Sequence, residues 1–273
     1  MRLIWCTDIH LDHCSDIKTF QNDVLTMKPD RILLTGDISN ALYIKQHLKD
    51  LANAWNCPID FVLGNHDYYG SSPYSPAKMR DVITTVTDVT NNVTNLNWLS
   101  QSGPIELTDN TALIGNGLWC DWRAGLKSKS NVWLNDYQLI YELFGYPTLN
   151  DRRRIQRKVR NLAKSRTNKL IQDFNTAIKH GYKKIIIGTH VPPFHEASFY
   201  NGVISDDNWA PHFVCKIAGD NLKAITKTHH DIDVTILCGH THGEGKKDIL
   251  QNLHVINGAA TYGNPAAQMP III

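Results

Sequence analysis

Leu3-Ile4-Trp5-Cys6-Thr7-Asp8-Ile9-His10 opens on four apolar residues and closes on a polar cluster that carries a carboxylate and an imidazole. A short apolar run that stops at such a cluster reads as a β-strand, and the helical stripe Ile17, Phe20, Val24 and Met27 follows it before Pro29. The same unit then repeats. Arg31-Ile32-Leu33-Leu34 leads to Gly36-Asp37, and Ile44, Leu48, Leu51 and Trp55 line a second helix before Pro58. Ile59 to Leu63 is a third strand, delivering Gly64-Asn65-His66-Asp67. Strands that alternate with helices and end in polar clusters are the signature of an α/β protein, with its chemistry at the strand ends.

Beyond Gly70 the pattern loosens. Residues Ser71 to Gln101 are rich in Ser, Thr, Asn and Pro and read as a surface excursion, with helical character over Ala77 to Val86. Ile105-Glu106-Leu107, Asp109-Asn110 and Ala112 to Gly115 predict an antiparallel hairpin, so the sheets should be mixed. Ile155, Val159, Leu162, Leu170, Phe174 and Ile178 predict a long helix, Lys183 to Thr189 a strand ending in His190, and Val234 to Cys238 and Leu253 to Asn257 the last strands. No internal repeat and no linker composition divides the chain. The expectation is one domain over 1–273, with a two-sheet core, helices outside and a basic helical excursion at about 120–180.

Composition narrows the class. The 273 residues are 42% hydrophobic, enough for a sizeable core, and a net charge of +2 selects no partner. The apolar runs are far shorter than the roughly 18 residues of a membrane span, and Asp8 interrupts the N-terminus before a leader could build up. Six cysteines lie far apart with no Cys-x-x-Cys pair, which predicts reduced thiols and a cytoplasmic protein. No feature sets an oligomeric state.

The strand-end residues suit metal ions. Residues two apart on a strand share a face, so Asp8 with His10, and His240 with His242, can each hold an ion together. Asp37, Asn65 and His190 add further ligands directly after apolar strands, beside glycines that let the backbone turn. Carboxylate, carboxamide and imidazole donors together favour Mn, Fe or Zn.

In order, Asp8-x-His10, Gly36-Asp37, Gly64-Asn65-His66-Asp67, His190 and Gly239-His240-x-His242 resemble the signature of the calcineurin-like metallophosphoesterases over nearly the whole chain. The resemblance implies a sandwich of two mixed β-sheets flanked by helices, in four layers, and two divalent metal ions. One would be held by Asp8, His10, Asp37 and His242 and the other by Asp37, Asn65, His190 and His240, with Asp37 bridging. Two such ions clamp a phosphate and activate a bridging hydroxide for attack on a phosphodiester or phosphomonoester. The resemblance makes His66 the residue that serves the leaving oxygen, with Asp67 expected to orient its ring. The lack of an Asp-Arg-Gly extension after Gly36-Asp37, and Asp rather than Glu at 67, set the chain apart from the protein serine/threonine phosphatases. His190-Val191-Pro192-Pro193 is similar to the cyclic-nucleotide phosphodiesterases, although many of those carry an acid where this chain has Asn40. A small phosphate ester or nucleotide is the expected substrate.

Other features bear on alternatives. Between Arg152 and Lys169 nine basic residues occur without an acid. Such a run can track a nucleic-acid backbone, which would make the chain a metal-dependent nuclease. No aromatic residues interleave to stack bases, so a solvated basic helix face is the preferred reading. A non-enzymatic scaffold with the same fold is disfavoured because no ligand is missing. His13 and His195 lie close in sequence to proposed ligands and are candidates for phosphate contact. Trp119, Asp121, Trp122 and Arg123 either border the site or pack on the core, and His229-His230 reads as a hydrated turn.

Overall fold

The computed structural model describes residues 1–126 and 129–273. Two mixed sheets face each other. The first contains β1 (Arg2–Cys6), β2 (Arg31–Thr35), β3 (Ile59–Val62), β4 (Leu96–Trp98) and β13 (Ile271–Ile272), in the order β13-β1-β2-β3-β4. The second contains β5 (Ile105–Thr108), β6 (Thr111–Gly115), β7 (Lys184–Gly188), β10 (Asp233–Cys238), β11 (Gly245–Leu250) and β12 (Leu253–Asn257), in the order β11-β12-β10-β7-β6-β5. Strands β1 to β4 are mutually parallel, as are β6, β7, β10 and β12. Antiparallel β13, β11 and β5 finish three of the four edges. A separate two-stranded hairpin joins β8 (Phe199–Tyr200) to β9 (Val203–Ile204).

Period-two alternation builds the layers. Leu3, Trp5, Leu33 and Val62 of the first sheet meet Leu113, Ile186 and Leu237 of the second in one buried cluster between the sheets. Their strand neighbours Ile4, Ile32, Phe61, Ile114, Ile187 and Ile236 point the other way, into the helices. Helices α1 (Ile17–Thr26), α2 (Ile44–Ala54) and α3 (Met79–Asn92) cover the first sheet, and α6 (Leu149–Lys179) with α8 (Lys216–Thr228) covers the second. Parallel strands buried on both faces explain why their sequences are continuously apolar rather than alternating. Short helices α4 (Leu99–Ser102), α5 (Asp136–Leu139) and α7 (Ala210–Phe213) sit in the connections. No described helix is long and apolar enough to cross a membrane.

The structure departs from expectation in two segments. Residues 71–101 are largely structural: α3 buries Met79, Val82, Val86 and Val89, and β4 extends the first sheet. The helical character expected over Ala77 to Val86 falls on the first half of α3, whereas its threonine- and asparagine-rich second half and a strand of only three residues escape a periodicity reading. The basic segment at 120–180 is no excursion either. Helix α6, capped by the Thr148 hydroxyl accepting from the Asp151 N–H, buries Ile155, Val159, Ala163, Leu170 and Phe174. Six of its nine basic side chains turn back onto the protein. Arg152 reaches the carbonyls of Ser130, Asn131 and Val132, Arg160 those of Asp121 and Trp122, and Arg166 that of Leu118. Arg154 and Lys158 bind the Phe144 and Glu142 carbonyls, and Lys169 pairs with Asp173. The expected solvated face is thus a row of staples over residues 118–144.

Candidate metal centre

All the parallel strands that carry expected ligands present their C-terminal ends at one edge of the sandwich. Asp8 and His10 follow β1, Asp37 follows β2, Asn65 and His66 follow β3, His190 follows β7, and His240 and His242 follow β10. The chain turns there through left-handed backbone, with φ of 48° at Asp8, 38° at His10, 50° at Asp37, 70° at His240 and 58° at His242. Non-glycine residues occupy this region at a cost of about 1 kcal/mol or more each, and such strain collects where function requires it. The ligand carboxylates come close enough to demand glycine: a Cβ on Gly64 would lie 2.2 Å from Asp37 Oδ1, and one on Gly239 would lie 2.0 Å from Asp8 Oδ2.

These turns overturn the expectation that strand periodicity pairs the ligands. His240 and His242 diverge: His240 Nδ1 lies 3.2 Å from His190 Nε2, whereas His242 Nε2 lies 3.4 Å from Asp8 Oδ1. Asp8 and His10 do meet, but through two left-handed residues rather than an extended strand. One ligand atom each from Asp8, His10, Asp37 and His242 falls within 4.8 Å of all the others. Beside this group, His190 Nε2 lies 3.0 Å from Asn65 Oδ1 and 3.3 Å from Asp37 Oδ1. Asp37 therefore borders both groups.

Hydrogen bonding outside the second group fixes what its inner atoms are. His190 donates from Nδ1 to the Thr35 carbonyl at 3.0 Å, and His240 donates from Nε2 to the His212 carbonyl at 3.1 Å. The Asn65 amide nitrogen donates to Asp136 and to the Tyr69 hydroxyl. With both imidazoles neutral, His190 Nε2, His240 Nδ1, Asn65 Oδ1 and Asp37 Oδ1 are lone-pair acceptors facing one another in a buried space. Acceptors crowded in this way repel unless a cation stands among them, so the donor set fits a metal ion. Without one, burial opposes charging of His190, but the Asp37 and Asp8 carboxylates overcome it and push its imidazole up to about 9. Burial, together with His190, pushes His240 down to about 4.

Residues 1–244 match the family described as calcineurin-like phosphoesterase. The chain belongs to that family. It is thus a metal-dependent hydrolase of phosphate esters. Among solved structures it is similar to the phosphopantetheinyl hydrolase of Mycobacterium tuberculosis, at 14% identity and a TM-score of 0.67, covering 96% of this chain and 90% of that one. It is also similar to a dimetal phosphatase from Danio rerio, at 10% identity and a TM-score of 0.57, covering 98% and 90%. At these identities the likeness establishes the shared fold. None of the curated proteins compared by sequence matches the chain.

Around this phosphoesterase centre lie residues whose roles sequence reasoning missed or misjudged. Asp67 does not touch the His66 ring; its carboxylate accepts from the backbone N–H groups of Ile38, Ser39 and Gly64 at 2.8–2.9 Å and braces the ligand loops. The expected orienting role is therefore corrected. The His66 ring instead stacks on Tyr69 at 4.2 Å, and its Nε2 lies 3.4 Å from the Tyr262 hydroxyl. Tyr262 also leans on the rings of His10 and His242, yet nothing in its surroundings, Thr261-Tyr262-Gly263, marked it in sequence. Asp136, which holds Asn65, is buried, and burial pushes its carboxyl up to about 6 against the hydrogen bonds of Tyr69 and Asn65. A lone Asp in an irregular stretch offered no signal.

Of the other candidates, His13 and Asn40 line a neighbouring cavity with His66 and Tyr262, and the rest are placed elsewhere. His195 donates from Nε2 to the Ser205 carbonyl at 2.7 Å and holds a loop. His13 stays half exposed, its ring 6.2 Å from that of His10. Trp119 and Trp122 are buried in the core, the latter donating to the Tyr137 hydroxyl. Asn40 turns its amide to Asp12 and caps the Leu42 N–H.

Proposed function

We propose that the chain is a phosphodiesterase, acting as one domain over 1–273, in which Asp8, His10, Asp37 and His242 hold one divalent cation and Asp37, Asn65, His190 and His240 a second. Such a pair of cations neutralises charge on the phosphate and activates a water for in-line attack. The chain's own residues do the rest. Asp37 sits between the two ligand groups, and the outward hydrogen bonds of His190, His240 and Asn65 keep their lone pairs aimed inward. His66, outside both groups and partly open to the cavity, donates a ring N–H to the leaving oxygen, and Tyr262 positions that ring.

The observation that favours a diester is the charge of the cavity. About 650 Å³ of space lies over the centre, lined by Asn65, His66, Asn135, Trp209 and Tyr262 among others, with no lysine or arginine among the described residues. Two divalent cations set against the Asp8 and Asp37 carboxylates and the attacking hydroxide would leave a single net positive charge, which a diester's one negative charge balances, and no lysine or arginine lines the cavity to meet a monoester's second. Five of the nine basic side chains in the run that supported a nuclease bind backbone carbonyls and Lys169 pairs with Asp173, which leaves only Arg153, Arg157 and Lys164 to meet a phosphate backbone and weakens that reading.

Metal-stripped protein restored with Mn, Fe, Zn, Ni or Mg in turn is expected to hydrolyse bis-p-nitrophenyl phosphate faster than p-nitrophenyl phosphate, with Asp37→Ala inactive on both. Faster monoester turnover would overturn the diester reading, and activity that survives chelation or Asp37→Ala would overturn the metal assignment.

A further inference from the structure

The cavity over the metal centre continues sideways into a second one of about 380 Å³, and the two share Tyr200, Trp209 and Phe213 as a common wall. The shared wall begins at a proposed metal ligand. The centre of the Phe213 ring lies 5.3 Å from that of His240 in an edge-to-face pair, and Trp209 stacks on Phe213 at 5.2 Å and 26°. Val203 and Ile204 complete an apolar shelf. Trp209 is 41% exposed, Tyr200 51%, Val203 65% and Ile204 44%, so four large apolar side chains stand in solvent side by side next to the site. Scattered exposed apolar residues need no explanation, but a contiguous group beside a reactive centre marks a binding surface.

The shelf is held in place before any ligand arrives. Ser205 donates its N–H to the Ser198 carbonyl at 2.8 Å, the two hydroxyls lie 2.7 Å apart, and His195 grips the Ser205 carbonyl, so the β8–β9 hairpin is pinned at its base. Asp206 Oδ1 accepts from the N–H groups of Asn208 and Trp209 at 2.9 Å and fixes the turn that presents the indole. Such preorganisation lowers the ordering cost of binding. The residue types disfavour a polyanionic occupant: the smaller cavity offers no lysine or arginine among the described residues, and its one carboxyl side chain is Asp206.

We infer that this shelf binds an uncharged aryl or alkyl ester arm of the substrate and so selects phosphodiesters with a bulky apolar substituent. The inference rests on the phosphodiester reading above. A phosphate seated at the metal centre carries one ester arm toward His66 as the leaving group, and the wall shared by the two cavities receives the other. Aromatic faces at Trp209 and Tyr200 suit a flat ring, and Val203 and Ile204 suit its edge or an alkyl chain.

The test uses singly charged ligands that bind the centre, monomethyl phenylphosphonate and monomethyl methylphosphonate, titrated calorimetrically into Mn-loaded protein. Methyl and phenyl p-nitrophenyl phosphate serve as the matching substrates. The phenyl ligand is expected to bind at least about tenfold more tightly, and Trp209→Ala and the solvent-facing Ile204→Ser should each bring the ratio toward one. Equal binding of the two ligands by the native protein, or a ratio that neither variant lowers, would overturn the shelf. Loss of turnover on both esters while the binding preference persists would instead overturn the catalytic reading and leave the shelf standing.

Discussion

Asn65 carries an oxygen and a nitrogen that exchange places on a half-turn of its amide, and only the oxygen can ligate a cation. Asp136 decides the orientation by accepting from the amide nitrogen at 2.9 Å, while the Tyr69 hydroxyl donates to the same carboxylate oxygen at 2.6 Å. Partners of this kind commonly account for 10- to 100-fold in metal affinity. Asp136→Ala is therefore expected to weaken Mn binding by about that factor, measured by calorimetry, with the fold intact by circular dichroism. Unchanged affinity would show that Asn65 needs no such support. His66 separates catalysis from metal binding in the opposite sense. His66→Ala should retain both ions by elemental analysis and lose roughly 10²- to 10⁴-fold in turnover. The loss should be smallest for esters whose leaving group is already acidic, and loss of metal in this variant would sink its assignment.

Helix α6 shows how an element's charge can mislead. A run of nine basic residues looks like a surface for an anion, and only Arg153, Arg157 and Lys164 are both solvent-facing and without a hydrogen-bond partner in the structure. The segment it staples, residues 118–144, is largely irregular, so its carbonyls lack the partners that a sheet or helix would supply. Arginine answers that need with several donors on one rigid plane. Arg166 combines such bonds with ring contacts, donating to the Leu118 carbonyl at 2.7 Å and the Tyr68 hydroxyl at 3.0 Å, with its guanidinium 4.9 Å from the centre of the Trp119 ring. Arg166→Ala should cost about 2–3 kcal/mol in urea unfolding, against less than about 0.5 kcal/mol for the exposed Arg157→Ala. Equal and small losses would mean that the staples carry little stability.

At the scale of the whole molecule, the metal centre joins the two sheets. Ligands from β1, β2 and β3 face ligands from β7 and β10, so a bound ion ties together halves of the sandwich that are otherwise held by the apolar contact between them. Mn at 100 times its dissociation constant is accordingly expected to add about 2.7 kcal/mol to stability, seen as a rise in Tm that EDTA reverses. A Tm indifferent to both Mn and EDTA would contradict an ion site of that affinity between the sheets.

Much of this architecture was legible before any coordinates. Strand after strand ended in a ligand, the helical stripes fell where α1, α2 and α6 lie, and the hairpin of β5 and β6 gave the mixed sheet. Those features are encoded locally, because apolar period and the order of residues along the chain survive without tertiary contacts. The same holds for the match of the ligand blocks to the calcineurin-like family, which depends on their covalent order. What only the folded structure decided were directions and distant partners. Left-handed backbone sent His240 and His242 toward different groups, Asp67 turned to three backbone N–H groups, and Tyr262 and Asp136 arrived from 196 and 71 residues away to hold His66 and Asn65. The arginines of α6 and the apolar shelf belong with these, since a side chain's partner is set by packing between segments that no local pattern connects.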